Sequence, residues 1–210
     1  MKLARYAIAA LLLGTLLFTA CSSGPTTSNA TATTVKKKDP IPMTGKACLN
    51  NMADAAQRWQ IDAMPFQLES EVNAEGNGQD GKSTVWRALF ASPTTRNLKE
   101  FVCSGSRLKE SPAVGVTSTA EAPYPPNITS AMFQTFALIS DSDVAAKVAK
   151  EHGGADILAK NSSQPIVYSL NWDGKTKKLY WFVVYGTSAK GAKGVGIVDA
   201  STGTWVGVRK

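Results

Sequence analysis

Residues 166–208 decide the fold of this chain and read IVYSLNWDGKTKKLYWFVVYGTSAKGAKGVGIVDASTGTWVGV. Four short apolar runs in this stretch are separated by turns rich in Gly, Asp, Ser and Lys. The runs cover residues 166–172, 179–185, 194–200 and 204–208. β-Branched and aromatic residues concentrate in the runs and turn-forming residues in the breaks, which is typical of antiparallel strands joined by short turns. We therefore predict that a β-meander ends the chain.

A helix is predicted immediately before this meander. Ser140 and Asp143 are spaced as in a capping box, and the negative charge of Asp143 favours the positive end of the helix dipole. Val144 and Val148 give the helix an apolar side. The two glycines at 153–154 are expected to end it.

The same order of elements occurs earlier in the chain. A helix is predicted over residues 45–61 because its apolar side chains recur every three or four positions. These side chains belong to Cys48, Met52, Ala55 and Trp59. Predicted strands follow at residues 66–72, 84–91 and 98–104. The sequence thus predicts an α+β fold of two repeats, each a helix packed on a three- or four-stranded antiparallel sheet.

Composition divides the chain further. Residues 1–20 are predicted to be a signal peptide, because Lys2 and Arg5 precede a short apolar run. Residues 21–44 contain few large apolar side chains and are predicted to be a disordered tether. The predicted repeats cover residues 45–106 and 140–210, and a connector rich in Pro and Gly covers residues 107–139.

The end of the signal peptide, Thr19-Ala20-Cys21, is similar to the lipobox of bacterial lipoproteins, although Phe18 stands where Leu is usual. In that family the Cys becomes the N-terminus and carries lipid, including palmitate. The resemblance implies that Cys21 anchors the protein in a bacterial cell envelope. The chain would then be extracytoplasmic, on the periplasmic face of the outer membrane in a Gram-negative cell. An ordinary cleaved signal with an unmodified Cys21 is the alternative.

The remaining cysteines, Cys48 and Cys103, are predicted to form a disulfide. An extracytoplasmic compartment is oxidising enough for this bond. Cys48 lies on the apolar side of the predicted helix, and Cys103 shares a strand face with Phe101. The bond would close a loop of 55 residues, for which chain entropy gives a stabilisation of about 4 kcal/mol.

The final turn carries a family resemblance. Residues 199–203 read DASTG and are followed by a short closing strand. A helix, a strand meander and a last turn of the form Asp-Ala-x-Thr-Gly resemble PepSY-like domains over residues 141–208, and the first repeat fits the same plan more loosely. PepSY-like domains occur in protease propeptides and envelope proteins, where they are regarded as binding or restraining peptidases. The resemblance implies a binding function rather than catalysis.

Charge and motifs exclude several other functions. The formal net charge is +7, but residues 45–210 carry 18 basic and 15 acidic side chains, so we expect no nucleic-acid partner. Residues 76–83, GNGQDGKS, match the phosphate-loop pattern. A working phosphate loop opens a helix, whereas β-branched and aromatic residues follow here. We therefore expect a flexible hairpin loop that binds no nucleotide.

We expect no catalytic site, cofactor or metal. His152 is the only histidine and lies at the predicted end of a helix, where a cation is favoured by the dipole. The acidic residues Asp54, Asp62, Glu69 and Glu71 lack metal-ligand spacing and are expected to be solvated. We expect Asp199 to hold the last turn by accepting hydrogen bonds from backbone amides beyond it.

Aromatic residues are the best functional candidates. The run at 179–185 is apolar on both faces, so one face needs a cover other than the helix. The candidate interface residues are Trp172, Tyr180, Trp181, Phe182 and Trp205. The first repeat or a protein partner in the envelope would cover them. The leading hypothesis is a non-catalytic binding protein that restrains an envelope peptidase. The alternatives are a carrier of a small molecule or lipid in an aromatic cleft between the repeats and, with the least support, a hydrolase.

We predict that protein purified from envelopes of a lipoprotein-processing bacterium begins at Cys21 and carries lipid on it. Mass spectrometry of the intact protein and its N-terminal peptide measures both. A Cys21→Ser variant is expected to lose the lipid and the membrane association. An unmodified Cys21 within a soluble mature protein would contradict the lipid anchor.

Overall fold

A computed structural model describes residues 38–125 and 128–209. The first part of the chain forms β1 (Met43–Thr44), α1 (Gly45–Trp59), β2 (Met64–Glu71), β3 (Lys82–Ser83), β4 (Val85–Ser92), β5 (Asn97–Ser104), β6 (Gly115–Ser118) and β7 (Ala122–Pro123). The second part forms α2 (Ser142–Ala149), α3 (Ala155–Lys160), β8 (Ile166–Asp173), β9 (Lys178–Tyr185), β10 (Val195–Asp199) and β11 (Trp205–Val208). Short 3₁₀ turns lie at Ile128–Ala131, Thr135–Ala137 and Ala189–Gly191. The fold is α+β, as predicted.

Apart from β1 and β3, which pair with each other, the strands of both parts join one antiparallel sheet of nine strands. Its order is β11-β10-β9-β8-β2-β4-β5-β6, and β7 also pairs with β5. The two parts meet at β2 and β8, where Leu68 lies opposite Leu170 and Glu69 opposite Ser169. The sequence had predicted a separate small sheet for each helix. Two such sheets would leave β2 and β8 as edges with unpaired backbone groups, and their mutual pairing satisfies those groups.

Residues 107–139 contain more structure than the sequence indicated. Two short strands in this stretch, β6 and β7, pair with β5. Pro123 is tolerated in β7 because the strand is at the edge of the sheet. The stretch 132–139, predicted as part of the connector, contains a 3₁₀ turn and buries Phe133 and Leu138 in the core.

The second predicted helix is also corrected at both ends. It begins after Asp141, whose side chain caps the helix, and not at Ser140. Its predicted stop at 153–154 is a kink, at which His152 and Gly153 leave helical geometry. Gly153 adopts φ 105°, a conformation that suits glycine. The chain then continues as α3.

Both long helices lie on one face of the sheet and share one core. The indole rings of Trp86 on β4 and Trp181 on β9 meet edge to face, 6.2 Å apart, and both side chains are fully buried. Gly45, the first residue of α1, lies against these rings, and a Cβ at this position would overlap Trp181. The core therefore runs without a break from one part of the chain to the other.

The predicted disulfide is confirmed. Cys48 of α1 and Cys103 of β5 are bonded, with their Cα atoms 5.6 Å apart. Both residues are at most 1% exposed. The bond ties α1 to the sheet from the core side.

The glycine-rich loop before β3 is docked and not flexible, contrary to our expectation. The Ile166 amide donates to the Asn77 carbonyl at 2.8 Å, and the Tyr168 hydroxyl donates to the Gly78 carbonyl at 2.7 Å. The Gln79 side chain donates to the carbonyls of residues 162 and 164. Gly78 has φ 76°, and a Cβ there would overlap the Ile166 carbonyl. Glycine thus lets the loop pack against the second part of the chain.

Asp141 and Ser142 join the N-termini of the two helices. One carboxylate oxygen of Asp141 accepts hydrogen bonds from the Ser142 amide at 2.6 Å and from the Lys46 amide of α1 at 2.9 Å. The Ser142 hydroxyl accepts from the Gly45 amide at 2.8 Å and donates to the Gly81 carbonyl at 2.6 Å. We call this cluster, comprising Asp141, Ser142 and their partners Gly45, Lys46 and Gly81, the helix junction.

We predict that Asp141→Ala lowers the free energy of unfolding by about 2 kcal/mol, because an N-cap contributes about 0.5–2 kcal/mol and this one serves two helices. Urea unfolding followed by circular dichroism measures the change. Asp143→Ala is the matched control: Asp143 is exposed and bonds the adjacent Val144 amide. It is expected to cost under about 1 kcal/mol. Equal losses in the two variants would contradict the shared cap.

Candidate functional site

The face of the sheet opposite the helices is the candidate functional surface. Along β9, Leu179, Trp181 and Val183 point into the core and are fully buried. Tyr180 and Phe182 alternate with them and point to the other face. No α-helix within residues 38–125 and 128–209 packs on that face. The apolar residues on this side of β9 therefore form part of a surface.

A groove of about 890 Å³ runs over the second half of this face. Its apolar floor is formed by Tyr180, Phe182, Ile197 and Val206, and Arg209 forms one cationic wall. The Arg209 guanidinium lies 5.9 Å from the centre of the Phe182 ring, a cation–π distance. Lys175 and Lys177, in the turn between β8 and β9, form a basic rim. We call this feature the open-face groove.

The structure brings together two of the five predicted interface residues. Phe182 is half-buried, Tyr180 is 9% exposed, and both line the open-face groove. Trp172 borders the end of the groove, but it lies opposite Leu179 and packs against the core. Trp181 is in the core, where its indole N–H donates to the Ser140 carbonyl at 2.9 Å. Trp205 lies on the helix side of the sheet and stacks on His152, with ring centres 4.7 Å apart.

Sequence reasoning missed three residues of the groove: Ile197, Val206 and Arg209. The available signal was the alternation within the strands. Ile197 lies directly opposite Phe182 across β9 and β10, so the two side chains share a face. Arg209 follows β11, and its position depends on how β11 pairs with β10. The Arg209 amide donates to the Val195 carbonyl of β10. The composition alone did not indicate that register.

The first half of the same face carries a cluster of charged residues. Arg87 on β4 lies between two carboxylates, 3.0 Å from Glu71 and 3.4 Å from Glu100. Glu69 accepts a hydrogen bond from the Gln67 side chain at 2.6 Å. The aromatic part of the face is therefore confined to the half formed by β8–β11.

Asp199 shapes the turn that borders the groove. Its carboxylate accepts from the amides of Ser201 at 2.9 Å and Thr202 at 3.2 Å, and it pairs with the Lys178 ammonium at 3.0 Å. Burial alone would raise the pKa of Asp199, but the Lys178 hydrogen bond and the two amides outweigh it and lower the pKa. Gly203 completes the turn with φ 74°. The motif of residues 199–203 thus has a structural role.

Other residues considered for chemistry are engaged locally. The Nδ1 atom of His152 lies 2.8 Å from the Val148 carbonyl, at the end of α2. Lys82 and Ser83 of the phosphate-loop pattern form β3 and do not begin a helix. Asp62 accepts from the Ser92 hydroxyl and the Thr94 amide, and these bonds lower its pKa. Within the described residues, no group of three or more His, Cys, Asp or Glu side chains is placed to hold a metal.

The proposed lipid site and tether lie largely outside the described residues. Cys21, the signal peptide and residues up to 37 are not described. Among the described helices, none is long and apolar enough to cross a membrane.

Comparison with known proteins shows little sequence similarity. No family model matches the chain. No curated protein is significantly similar to it. A crystal structure described as a "putative lipoprotein" from Clostridium difficile 630 aligns with a TM-score of 0.46 and 11% identity, over 83% of this chain and 95% of that chain. At this level the likeness carries no conclusion about fold or function. The resemblance of residues 141–208 to PepSY-like domains rests on its motif.

We predict that Asp199→Asn destabilises the protein at pH 7 and that the loss shrinks as the pH falls below about 4. A carboxyl group whose pKa is lowered on folding stabilises the protein above its unfolded value, near 3.9, and loses this contribution as it is protonated. Urea unfolding at pH 7 and pH 3 measures the effect. Asp54→Asn, on the exposed side of α1, is the control and should change little. A loss for Asp199→Asn that is independent of pH would contradict the assignment.

Proposed function

We propose that this chain is a lipid-anchored, extracytoplasmic binding protein and that its open-face groove holds a segment of a protein partner. The observation that carries the proposal is the groove itself, because its half-buried aromatic floor lies on a sheet face that neither long helix covers. Aromatic side chains with a nearby arginine are enriched in the energetically dominant parts of protein interfaces.

The charge of the groove indicates the kind of segment that fits. Lys175, Lys177 and Arg209 line it, and Asp173 is the one carboxylate among its lining residues. Asp173 accepts hydrogen bonds from the amides of Lys175 and Thr176 in its own turn. A partner segment with an apolar or aromatic side chain flanked by acidic residues would complement this surface.

Binding is favoured over catalysis by the way in which the titratable groups are used. Asp173 and Asp199 hold turns, and Glu71 and Glu100 flank Arg87. These carboxylates are therefore engaged in structural hydrogen bonds and ion pairs. The PepSY-like motif supports the same class of function and suggests an envelope peptidase as the partner.

The two parts of the chain are best interpreted as two PepSY-like repeats that share one sheet. In each, a helix precedes the strands, and both helices lie on the same face. The pairing of β2 with β8 places the first strand of each unit at the centre. This arrangement leaves one broad face for a partner.

The alternative function, a carrier with an aromatic cleft between the repeats, has less support. The side chains of Trp86 and Trp181 occupy that position, and Gly45 packs directly against both rings. A ligand there would have to displace core residues that are fully buried.

We predict that Phe182→Glu abolishes capture of the partner while leaving the fold intact, because it places a carboxylate in the apolar floor of the groove. A photo-crosslinking residue at Val206 in the envelope, followed by mass spectrometry, identifies the partner, and the purified pair then gives the affinity. We expect a loss of at least about tenfold, or about 1.4 kcal/mol.

Phe136→Glu is the matched control, since Phe136 is 79% exposed and lies outside the groove. It is expected to bind the partner like the wild type. Equal capture by the wild type and the Phe182→Glu variant would contradict the proposal. So would a partner that is captured by a photo-crosslinking residue at position 136 but not by one at Val206.

A further inference from the structure

A second cleft lies on the opposite side of the sheet from the open-face groove. It has a volume of about 330 Å³ and is bounded by the kink between α2 and α3 and by the ends of β9, β10 and β11. This volume is at the lower end of the range of small-molecule pockets, about 300–1,000 Å³. Its walls include Ala149, His152, Ile157, Tyr185, Val195 and Trp205. We call it the kink cleft.

The kink cleft contains a buried hydroxyl group without a partner. Tyr185 is 2% exposed, and its Oη atom makes no hydrogen bond within the described residues. Buried polar groups are nearly always hydrogen-bonded, so an orphaned hydroxyl calls for an explanation. Burial raises the pKa of Tyr185 to about 12. At neutral pH the group is therefore a donor that lacks an acceptor.

Gly154, the second of two consecutive glycines, lies beside this hydroxyl. The Tyr185 Oη atom lies so close to Gly154 that a Cβ there would overlap it. His152 and Gly153 leave helical geometry at the same point. Glycine at 154 therefore keeps the backbone next to the hydroxyl free of side-chain atoms.

The rest of the kink cleft favours an apolar molecule with negative charge. The parallel rings of His152 and Trp205, inclined by 12°, form a flat wall, and Ile157 and Val195 supply aliphatic surface. Lys193 lines the cleft, and its described lining residues include neither Asp nor Glu. An anionic acceptor would thus meet a donor and a cation without a repelling carboxylate.

We propose that the kink cleft binds a small organic carboxylate. Its acid group accepts a hydrogen bond from Tyr185 beside Gly154, and Lys193 supplies a compensating charge. Its apolar body packs against Trp205, Ile157 and Val195. This site lies on the other side of the sheet from the open-face groove, with Arg209 as the one lining residue that they share, and it does not depend on the partner proposed for that groove.

Octanoate is a suitable probe, and octylamine is its matched control because it has the same chain with a cationic head. Two-dimensional amide NMR of the full mature chain locates binding and gives the dissociation constant. We expect octanoate to shift amides of residues 152–157 and 193–196 and to bind at least tenfold more tightly than octylamine. Tyr185→Phe is expected to weaken octanoate about tenfold without loss of thermal stability, because it removes a hydroxyl that lacks a partner in the free protein.

Lys193→Gln is a second variant that leaves the core intact, and it should weaken octanoate but not octylamine. Three results would overturn the proposal. The first is equal binding of octanoate and octylamine. The second is a set of shifts confined to the open-face groove. The third is a Tyr185→Phe variant that is less stable but binds octanoate with unchanged affinity. This result would mean that the hydroxyl donates to a structural water and not to a ligand.

Discussion

The hydrogen bonds of Asp141 and Ser142 hold the N-termini of α1 and α2 against each other, and this contact sets the relation between the two halves of the sheet. Each helix presents unsatisfied amides and the positive end of its dipole at this end. One carboxylate oxygen and one hydroxyl group bond amides of both helices. Next to this junction β2 and β8 lie side by side and pair, and the Trp86 and Trp181 rings close the core beneath them.

The same constraint creates the surface on which the proposed function depends. With both helices on one face, the opposite face of a nine-stranded sheet carries a cluster of charged residues in one half and aromatic residues in the other. The strands hold Tyr180, Phe182 and Ile197 in fixed register, so the groove is largely preformed. A preformed surface loses little conformational entropy when a partner binds.

Local patterns in the sequence predicted most of the helices and strands. They did not predict the contacts between segments that are distant in the sequence. Helical spacing placed Cys48 in the core, and alternation placed Cys103 opposite it, so the disulfide followed. The docking of the loop around Gly78 onto Ile166 depends on backbone bonds between segments about 90 residues apart, which no local pattern encodes. Trp181 was assigned to an interface for the same reason. Alternation within its strand could not reveal that Trp86, from a distant segment, covers it.

The central claim is that the two halves of the chain form one cooperative unit held at the helix junction and along β2 and β8. Native-state hydrogen exchange in low urea tests it most directly, because it measures the free energy of opening at individual amides. The account predicts that the slowest amides of β4, near Ala88, and of β9, near Val183, open with the same free energy and the same dependence on urea. Exchange of β9 through a separate opening, at lower free energy than β4, would contradict it.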